Sequence, residues 1–388
     1  MDTRAGSGKT PFSVKIVTRD DLKSCAVWQS MFAPERKDHR YYEIVEDALT
    51  DRFEYRYFAI VDDTGKTRAI QPFFLIDQDI VEGVRPERVR WVSLIRRINP
   101  RFLKLRTLMV GCSAGEGHLA CAHDLPAAVA AESLSREIVK HARALGADLI
   151  VLKEFPARYR EALACFVKAG FTRAPSMPMT MLNVDYDSFD AYASKAISGN
   201  SRRHFRKNLK AAEGECIRMS VTDDVSAQLD EIYPLYLQVY ERSKLRFEKL
   251  TRDYFRQLSL RMKDKVRFLL WHRGNRLAAF GMFMIQEDQL FSEYLGFDYA
   301  VALDLHLYHY VVRDMTTWAI ERGFKGIRSS GLNYDPKLRY GHRLDPIDLY
   351  VRHVSPLLNP VMKLALPWLQ PVRYDATLKK FPNYGDLW

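Results

Sequence analysis

One arrangement occurs twice along the chain, and it limits the fold more than any other feature. Residues Tyr55–Leu75 read as strand, tight turn, strand, and Val139–Phe155 as a helix closing at Gly146 followed by an apolar strand. The order returns in Val266–Gln286 and Thr316–Gly331, where Gly323 takes the place of Gly146. Ala142 stands four residues before the first glycine and Ala319 four before the second. Such self-similarity predicts two copies of one α/β unit in tandem. A cleft between the copies would suit an enzyme that joins two substrates.

The length of 388 residues agrees with two domains. With 47% hydrophobic and 12% aromatic residues, packed cores are expected and a disordered chain is excluded. The net charge of +11 favours anionic partners: nucleotide phosphates, tRNA or an acidic lipid surface. Five scattered cysteines show no zinc spacing, so neither a disulfide framework nor a metal site is expected. The polar N-terminus has no signal-peptide character, and no apolar run of about 18 residues occurs. The expected location is cytoplasmic, with peripheral contact at the inner face of the membrane left open. Gly6–Thr10 imitates a phosphate loop, but Thr3 replaces its first glycine and no strand precedes it, so that reading is set aside.

Along the chain, Phe12–Thr18 reads as a strand, with Asp20 or Asp21 capping a helix to about Phe32, and 37–52 is partly helical. The hairpin Tyr55–Asp79 turns at Thr64-Gly65. A basic, aromatic insertion at 81–106 has no counterpart in the second copy and is a candidate lid or docking surface. Strand Thr107–Val110, helix Pro126–Leu145, strand Leu149–Phe155, helix Ala157–Ala169 and strand Met179–Asp185 complete the first copy. The second copy follows a helical stretch at 225–260 and ends with strand Ile347–His353. The predicted organisation is a first domain over 1–188, a basic connecting helix over 189–215, a second domain over 216–354 and an apolar tail over 355–388. Alternating strands and helices place the chain in the α/β class, each copy a mixed central sheet flanked by helices.

Several residues carry candidate chemistry. Gly111–Gly117 follows a strand and precedes a helix, so it could cradle an anion, with Glu116 and His118 as proton carriers; an ordinary glycine turn is the competing reading. Glu293 sits in the apolar strand Leu290–Phe297 and is a candidate general base, or else a salt-bridged strand residue. Asp304, His306 and His309 stand where a helix should begin, and His306 could touch a pyrophosphate or hydroxyl. Tyr334, Lys337, Arg339 and His342 form a polar cluster after a strand. There Tyr334 could protonate a leaving group, while Lys337 and Arg339 could hold phosphate. Arg202, Arg203, Arg206, Lys207 and Lys210 crowd one helix and suit tRNA, the acidic helix of a carrier protein or anionic lipid, or a solvated face. The tail residues 357–369 are rich in Leu, Val, Met and Trp, and would pack on the body or lie on a membrane.

The order of hairpin, helix–glycine–strand and closing strand resembles the GNAT acyltransferase fold, and its duplication resembles the Fem-type branch. Tyr294-Leu295-Gly296-Phe297-Asp298 and the run from Gly331 through Lys337 and Arg339 to Gly341 carry the likeness in the second half. The resemblance covers about residues 50–353 and implies two tandem GNAT-like domains. It implies an acyl-CoA or acyl carrier protein thioester as co-substrate; on the residues themselves, Gly115, Gly117, His306, Lys337 and Arg339 are the donor candidates and Glu293 and Tyr334 the catalytic ones. One departure is plain: the second copy offers Tyr299–Asp304, without glycine, where the family binds the coenzyme pyrophosphate. That departure raises an acyl carrier protein or aminoacyl-tRNA as donor.

The leading expectation is an N-acyltransferase acting on an amine by direct attack, because no nucleophile–base arrangement is readable. The basic insertion and apolar tail point to an amphiphilic acceptor such as an aminolipid or cell-envelope precursor. Arg202, Arg203, Arg206 and Lys207 would face that acceptor or a partner. The alternatives are an aminoacyl-tRNA-dependent peptidoglycan bridge transferase, disfavoured by the lack of a long heptad arm, and a non-catalytic membrane- or RNA-binding adaptor.

Overall fold

The computed structural model describes residues 12–79, 81, 86–100, 102–243 and 246–388, so the Gly6–Thr10 stretch lies outside the described residues. Two seven-stranded mixed sheets form the framework. The first contains β1 (Phe12–Val17), β2 (Glu54–Asp62), β3 (Thr67–Asp79), β4 (Lys104–Val110), β5 (Leu149–Pro156) and β6 (Thr172–Pro175). The second contains β7 (Met179–Asn183), β8 (Ile217–Thr222), β9 (Val266–Arg273), β10 (Arg276–Gln286), β11 (Gln289–Phe297), β12 (Gly326–Ser329) and β13 (Arg343–Asp345). A last strand, β14 (Ile347–His353), completes the first sheet rather than the second.

The strand orders are β1-β2-β3-β4-β5-β14-β6 and, from the other edge, β8-β9-β10-β11-β12-β7-β13. Each is an antiparallel meander leading to one parallel pair, β4 with β5 and β11 with β12. The next place is taken by a strand from the other half of the chain. Met179–Asp185, read from the sequence as closing the first copy, pairs with β12 and β13. Ile347–His353, read as closing the second, pairs with β5 and β6. Alternation of side chains marks a strand but carries no information about its distant partner.

The duplicated alanine–glycine spacing has a physical cause. Helices Ala127–Ala144 and Leu307–Glu321 join the two parallel pairs. Gly146 and Gly323 adopt φ of +69° and +77° past the ends of these helices. The N–H of Ala147 then donates to Ala142 O and that of Phe324 to Ala319 O, closing the same left-handed cap twice. Both alanines are fully buried, so small size there lets the helix lie close to its sheet.

Other elements are shorter than the sequence implies. Thr18 caps Arg19–Leu22, and a separate helix, Ala26–Met31, follows. The stretch 157–169 holds only a single 3₁₀ turn, Ala157–Tyr159, and the helix Ala164–Lys168. Between them Arg160 is drawn to Asp348 and to tail carbonyls of Asp386 and Leu387. The helical run at 225–260 divides into Leu229–Arg242 and Arg252–Arg261, the second capped by the Thr251 hydroxyl accepting from Tyr254 N–H. The loop between them reaches the first half of the chain, where Phe247 lies against Phe53 and Phe74.

Three large apolar clusters result. One backs the first sheet, one backs the second, and the third is shared, joining Trp28, Tyr41 and Phe74 to Tyr254, Phe255 and Phe280. A fourth, smaller cluster seals the tail, with Val372, Leu378, Phe381 and Leu387 packed on Tyr334 and Leu344. At Gly146 and Gly323 a Cβ would meet no atom within 4 Å, so only backbone strain opposes a side chain there. Gly146→Ala and Gly323→Ala should each cost about 1–2 kcal/mol in urea unfolding, with matching values in the two copies.

Candidate active-site cleft between the two sheets

Both parallel pairs separate partway along. The β4–β5 ladder ends at Val110 and Leu152, and the β11–β12 ladder at Ser292 and Ser329. Each sheet carries a bulge where its ladder ends. In the first, Lys153 and Glu154 stand opposite Leu349 alone; in the second, Glu293 is the extra residue between Ser292 and Tyr294. A bulge breaks strict alternation and re-aims side chains. Glu154 takes φ of +56°, a costly conformation for a residue with a side chain. At these bulges Lys153 and Glu293 reach across to the other half, Lys153 to the Phe247 ring and Glu293 to Arg36 and Lys37.

Four buried charges lie beneath this cleft. Arg36 binds Glu116 through one amino group and Glu293 through Nε at 2.7 Å. The Lys37 ammonium lies 2.8 Å from Glu116 and 3.0 Å from Glu293. Arg36 also stacks 3.6 Å over the Phe291 ring. Burial would push Glu116 up, but Arg36, Lys37 and His118 outweigh it and hold the carboxyl well below the ordinary range. Burial likewise opposes charge on Lys37, and the two glutamates outweigh it, leaving the ammonium raised.

The glycine loop is packed around this quartet. Gly115 has φ of +127°, and a Cβ there would come 2.1 Å from the Lys37 ammonium. A Cβ on Gly117 would meet Phe155 at 2.5 Å. The sequence reading of Gly115 and Gly117 as an open anion cradle is therefore corrected: the space before them is filled by Lys37 and Phe155. Glu116 and His118 are buried as well, His118 lying 3.4 Å from Glu116 and 3.5 Å from Glu35.

A second polar group forms where Lys153, Glu154, Glu248 and Tyr294 meet. Tyr294 donates its hydroxyl to Glu248 at 2.9 Å. Lys153 donates to Gly115 O at 2.8 Å and to Glu154 at 2.7 Å, and its ammonium sits 5.2 Å from the Phe247 ring centre. Ser176 donates to the other Glu154 oxygen at 3.2 Å. Burial raises the Glu248 pKa, with Glu154 adding and Lys153 and the Tyr294 hydrogen bond offsetting. Burial works against charge on Lys153, but Glu154 and Glu248 outweigh it, so the ammonium persists. Tyr254 and Tyr41 share a 2.8 Å hydrogen bond, and the Tyr254 ring stands 6.3 Å from that of Tyr294.

The other sequence-selected residues separate into distinct places. Glu293, expected as a base, has both oxygens engaged by Arg36 and Lys37, so it acts instead as an anchor at the edge of the cleft. Tyr334, expected as an acid, is buried under the tail and donates to Pro178 O at 2.8 Å; burial raises its pKa, which corrects that role. Lys337 donates to Ser330 O at 2.5 Å, beside the separating end of β12, and loss of solvent lowers its pKa to about 7. Arg339 is exposed and pairs with Asp335 at 2.6 Å. His342 is buried, and loss of solvent with Lys337 nearby lowers it to about 3.

His306 begins helix Leu307–Glu321 with a positive φ of 49°. Its neighbour His309 meets Asn208 of the basic helix Gly199–Ala211 at 3.0 Å, and burial lowers His309 to about 4. Arg202 caps carbonyls of Ala193 and Ser194, whereas Arg203, Arg206, Lys207 and Lys210 are exposed. Arg36, Lys37, Lys153 and Glu248 escape sequence reasoning. A lysine breaking the apolar strand 149–155 is the available signal for Lys153; Glu248 stands in a polar loop with none.

Comparison with known proteins agrees with this architecture. The FemAB-like profile, described as peptidoglycan biosynthesis/recognition, matches residues 57–348. The chain belongs to the FemAB-like family. Among solved structures, FemX aligns with a TM-score of 0.53 at 12% identity, covering 91% of this chain and 99% of its own. L-PGS from Bacillus licheniformis aligns with a TM-score of 0.52 at 14% identity, covering 94% of this chain and 98% of its own. No curated protein sequence matches the chain. These likenesses establish for this FemAB-like chain the α/β fold of FemX and L-PGS, built here on two seven-stranded sheets.

Removing one member of the buried quartet leaves its partners charged and dry. Arg36→Ala should cost about 3–5 kcal/mol in chemical unfolding. Because Glu116 is depressed in the folded state, its contribution is present above the ordinary glutamate pKa and lost as pH falls through the depressed value. Urea midpoints measured on the acid side should fall in the native protein and fall less in Glu116→Gln.

Proposed function

We propose that this protein is a transferase that moves an acyl or aminoacyl group from a thioester or ester donor onto the amine of an amphiphilic cell-envelope acceptor. One observation carries the reading: Glu248, half-buried between the sheets with its pKa raised, lies against a tyrosine hydroxyl and faces a lysine. An amine nucleophile must shed a proton as it attacks a carbonyl, and a carboxyl poised above its usual range accepts it. In the proposed step the amine nitrogen bonds to the donor carbonyl carbon while the donor C–O or C–S bond breaks. Glu248 takes the ammonium proton and returns it to the leaving oxygen or sulfur. Lys153 uses two of its three donors on Gly115 and Glu154, and the third is available to the carbonyl oxygen.

For the donor, an aminoacyl-tRNA has specific support beside an acyl-CoA or acyl carrier protein. The first glycine loop is filled by Lys37, and the corresponding loop of the second half has no glycine. Arg203, Arg206, Lys207 and Lys210 present an exposed basic row suited to a nucleic-acid backbone. FemX and L-PGS share the fold, and the family description names peptidoglycan biosynthesis/recognition, which supports an envelope acceptor.

Comparative mass spectrometry of lipid and cell-wall extracts from native, deletion and Glu248→Gln strains tests the acceptor. A missing N-acylated product with its free amine accumulating in both defective strains supports the proposal; unchanged extracts refute it. With the substrate in hand, Glu248→Gln should slow turnover about 10²–10⁴-fold. The acid limb of kcat/KM should lie above the ordinary carboxylate range. Tyr294→Phe should move it higher still, since the lost hydrogen bond favours the ionised form.

A further inference from the structure

The strand registers bring two exposed apolar segments to one end of the first sheet. β3 ends and β4 begins together, Asp79 opposite Lys104, so the insertion between them leaves from that end. β5 also begins there, parallel to β4, with Thr107 opposite Leu149, and β14 ends there with His353 opposite Leu149. The helix Asn359–Leu369 leaves from the end of β14. It is fixed by Asn359, which accepts from His353 N–H at 3.0 Å and donates to Gly170 O at 3.0 Å.

Each segment turns apolar residues outward. In the tail helix Leu366 is buried and Met362 packs on the core, while Leu364 and Trp368 are 76% and 70% exposed and Leu357, just before the helix, is 83% exposed. The insertion carries helix Pro86–Ile95, with Leu94 59% and the following Ile98 90% exposed. Both segments are basic in sequence: residues 355–374 hold Lys363 and Arg373 and no acid before Asp375, and residues 86–106 hold seven Lys and Arg against one Glu, of which Arg96 pairs with Asp79 and Arg106 with Glu54. Among the described residues no helix is long and apolar enough to cross a membrane.

We propose that this end of the first sheet is a docking surface for an anionic lipid bilayer, the apolar side chains entering the acyl boundary and the basic ones meeting lipid phosphates. Apolar area and positive charge on one surface add in interfacial binding. A protein partner of ordinary chemistry would need acids to match this rim, whereas an anionic bilayer supplies that charge everywhere. The inference goes beyond the transfer reaction and does not depend on it.

The full chain is tested by co-sedimentation with vesicles of phosphatidylcholine mixed with phosphatidylglycerol, and with phosphatidylcholine alone. The expected result is binding to the anionic vesicles that weakens with salt. The pairs Leu364→Glu with Trp368→Glu, and Leu94→Glu with Ile98→Glu, should each weaken it about tenfold or more. Thermal unfolding checks that each pair folds, and the charge reversal Lys363→Glu with Arg97→Glu replaces any that does not, with the same loss expected. Absent vesicle binding, or binding unchanged in either pair, overturns the proposal. A dimer in light scattering that the same variants dissolve, without vesicle binding, assigns the surface to a second copy and also overturns it.

Discussion

The buried pairing of Arg36 and Lys37 with Glu116 and Glu293 fixes the relation between the two sheets. Both cations come from one short segment, and the two anions come from opposite halves of the chain. Two positive and two negative charges leave no net charge in the dry interior, and each glutamate is reached by both cations. Such an arrangement adds little to stability over an apolar core, but losing one member is costly. Its specificity lies in direction: only one placement of the halves brings Glu116 and Glu293 to the same two cations.

That placement also builds the cleft. Arg36 and Lys37 hold Glu293, the residue before Tyr294, and through Glu116 they hold the loop whose Gly115 carbonyl receives Lys153. The bulges at Glu154 and Glu293 bring the walls into register, so the residues proposed for chemistry stand next to those that hold the halves together. Glu248 arrives on a loop seated by Phe247 against Phe53 and Phe74. The proposed membrane surface lies at the opposite end of the first sheet. The seven residues of β4 place roughly 20 Å between that end and the glycine loop.

Periodicity and punctuation make much of the fold legible. The hairpins around Gly65 and Gly274 and the repeated alanine–glycine caps are local, and local chemistry specifies them. The strands at 179–185 and 347–353 are visible as strands, but their partners are not, because a ladder does not depend on which half supplies it. Glu293 is correctly placed on a strand beside the cleft, yet its cations lie more than two hundred residues away in sequence and give no signal. Tyr334 looks like a loop residue because the tail that covers it, from Val372 to Leu387, has no pattern that announces its destination.

The exchange of β7 and β14 sets an order on how the chain can be completed as it leaves the ribosome. When β5 and β6 have emerged, the strand that separates them is still untranslated, and β7 has no sheet to join. The first sheet must wait with open ladders, a state prone to wrong pairing with other strands. Completion of both sheets is then almost simultaneous, since β13 and β14 are separated only by Pro346. A stop or frameshift before Ile347 would therefore leave both halves unfinished, and the nascent chain gains its two cores only once residues 343–353 have been made.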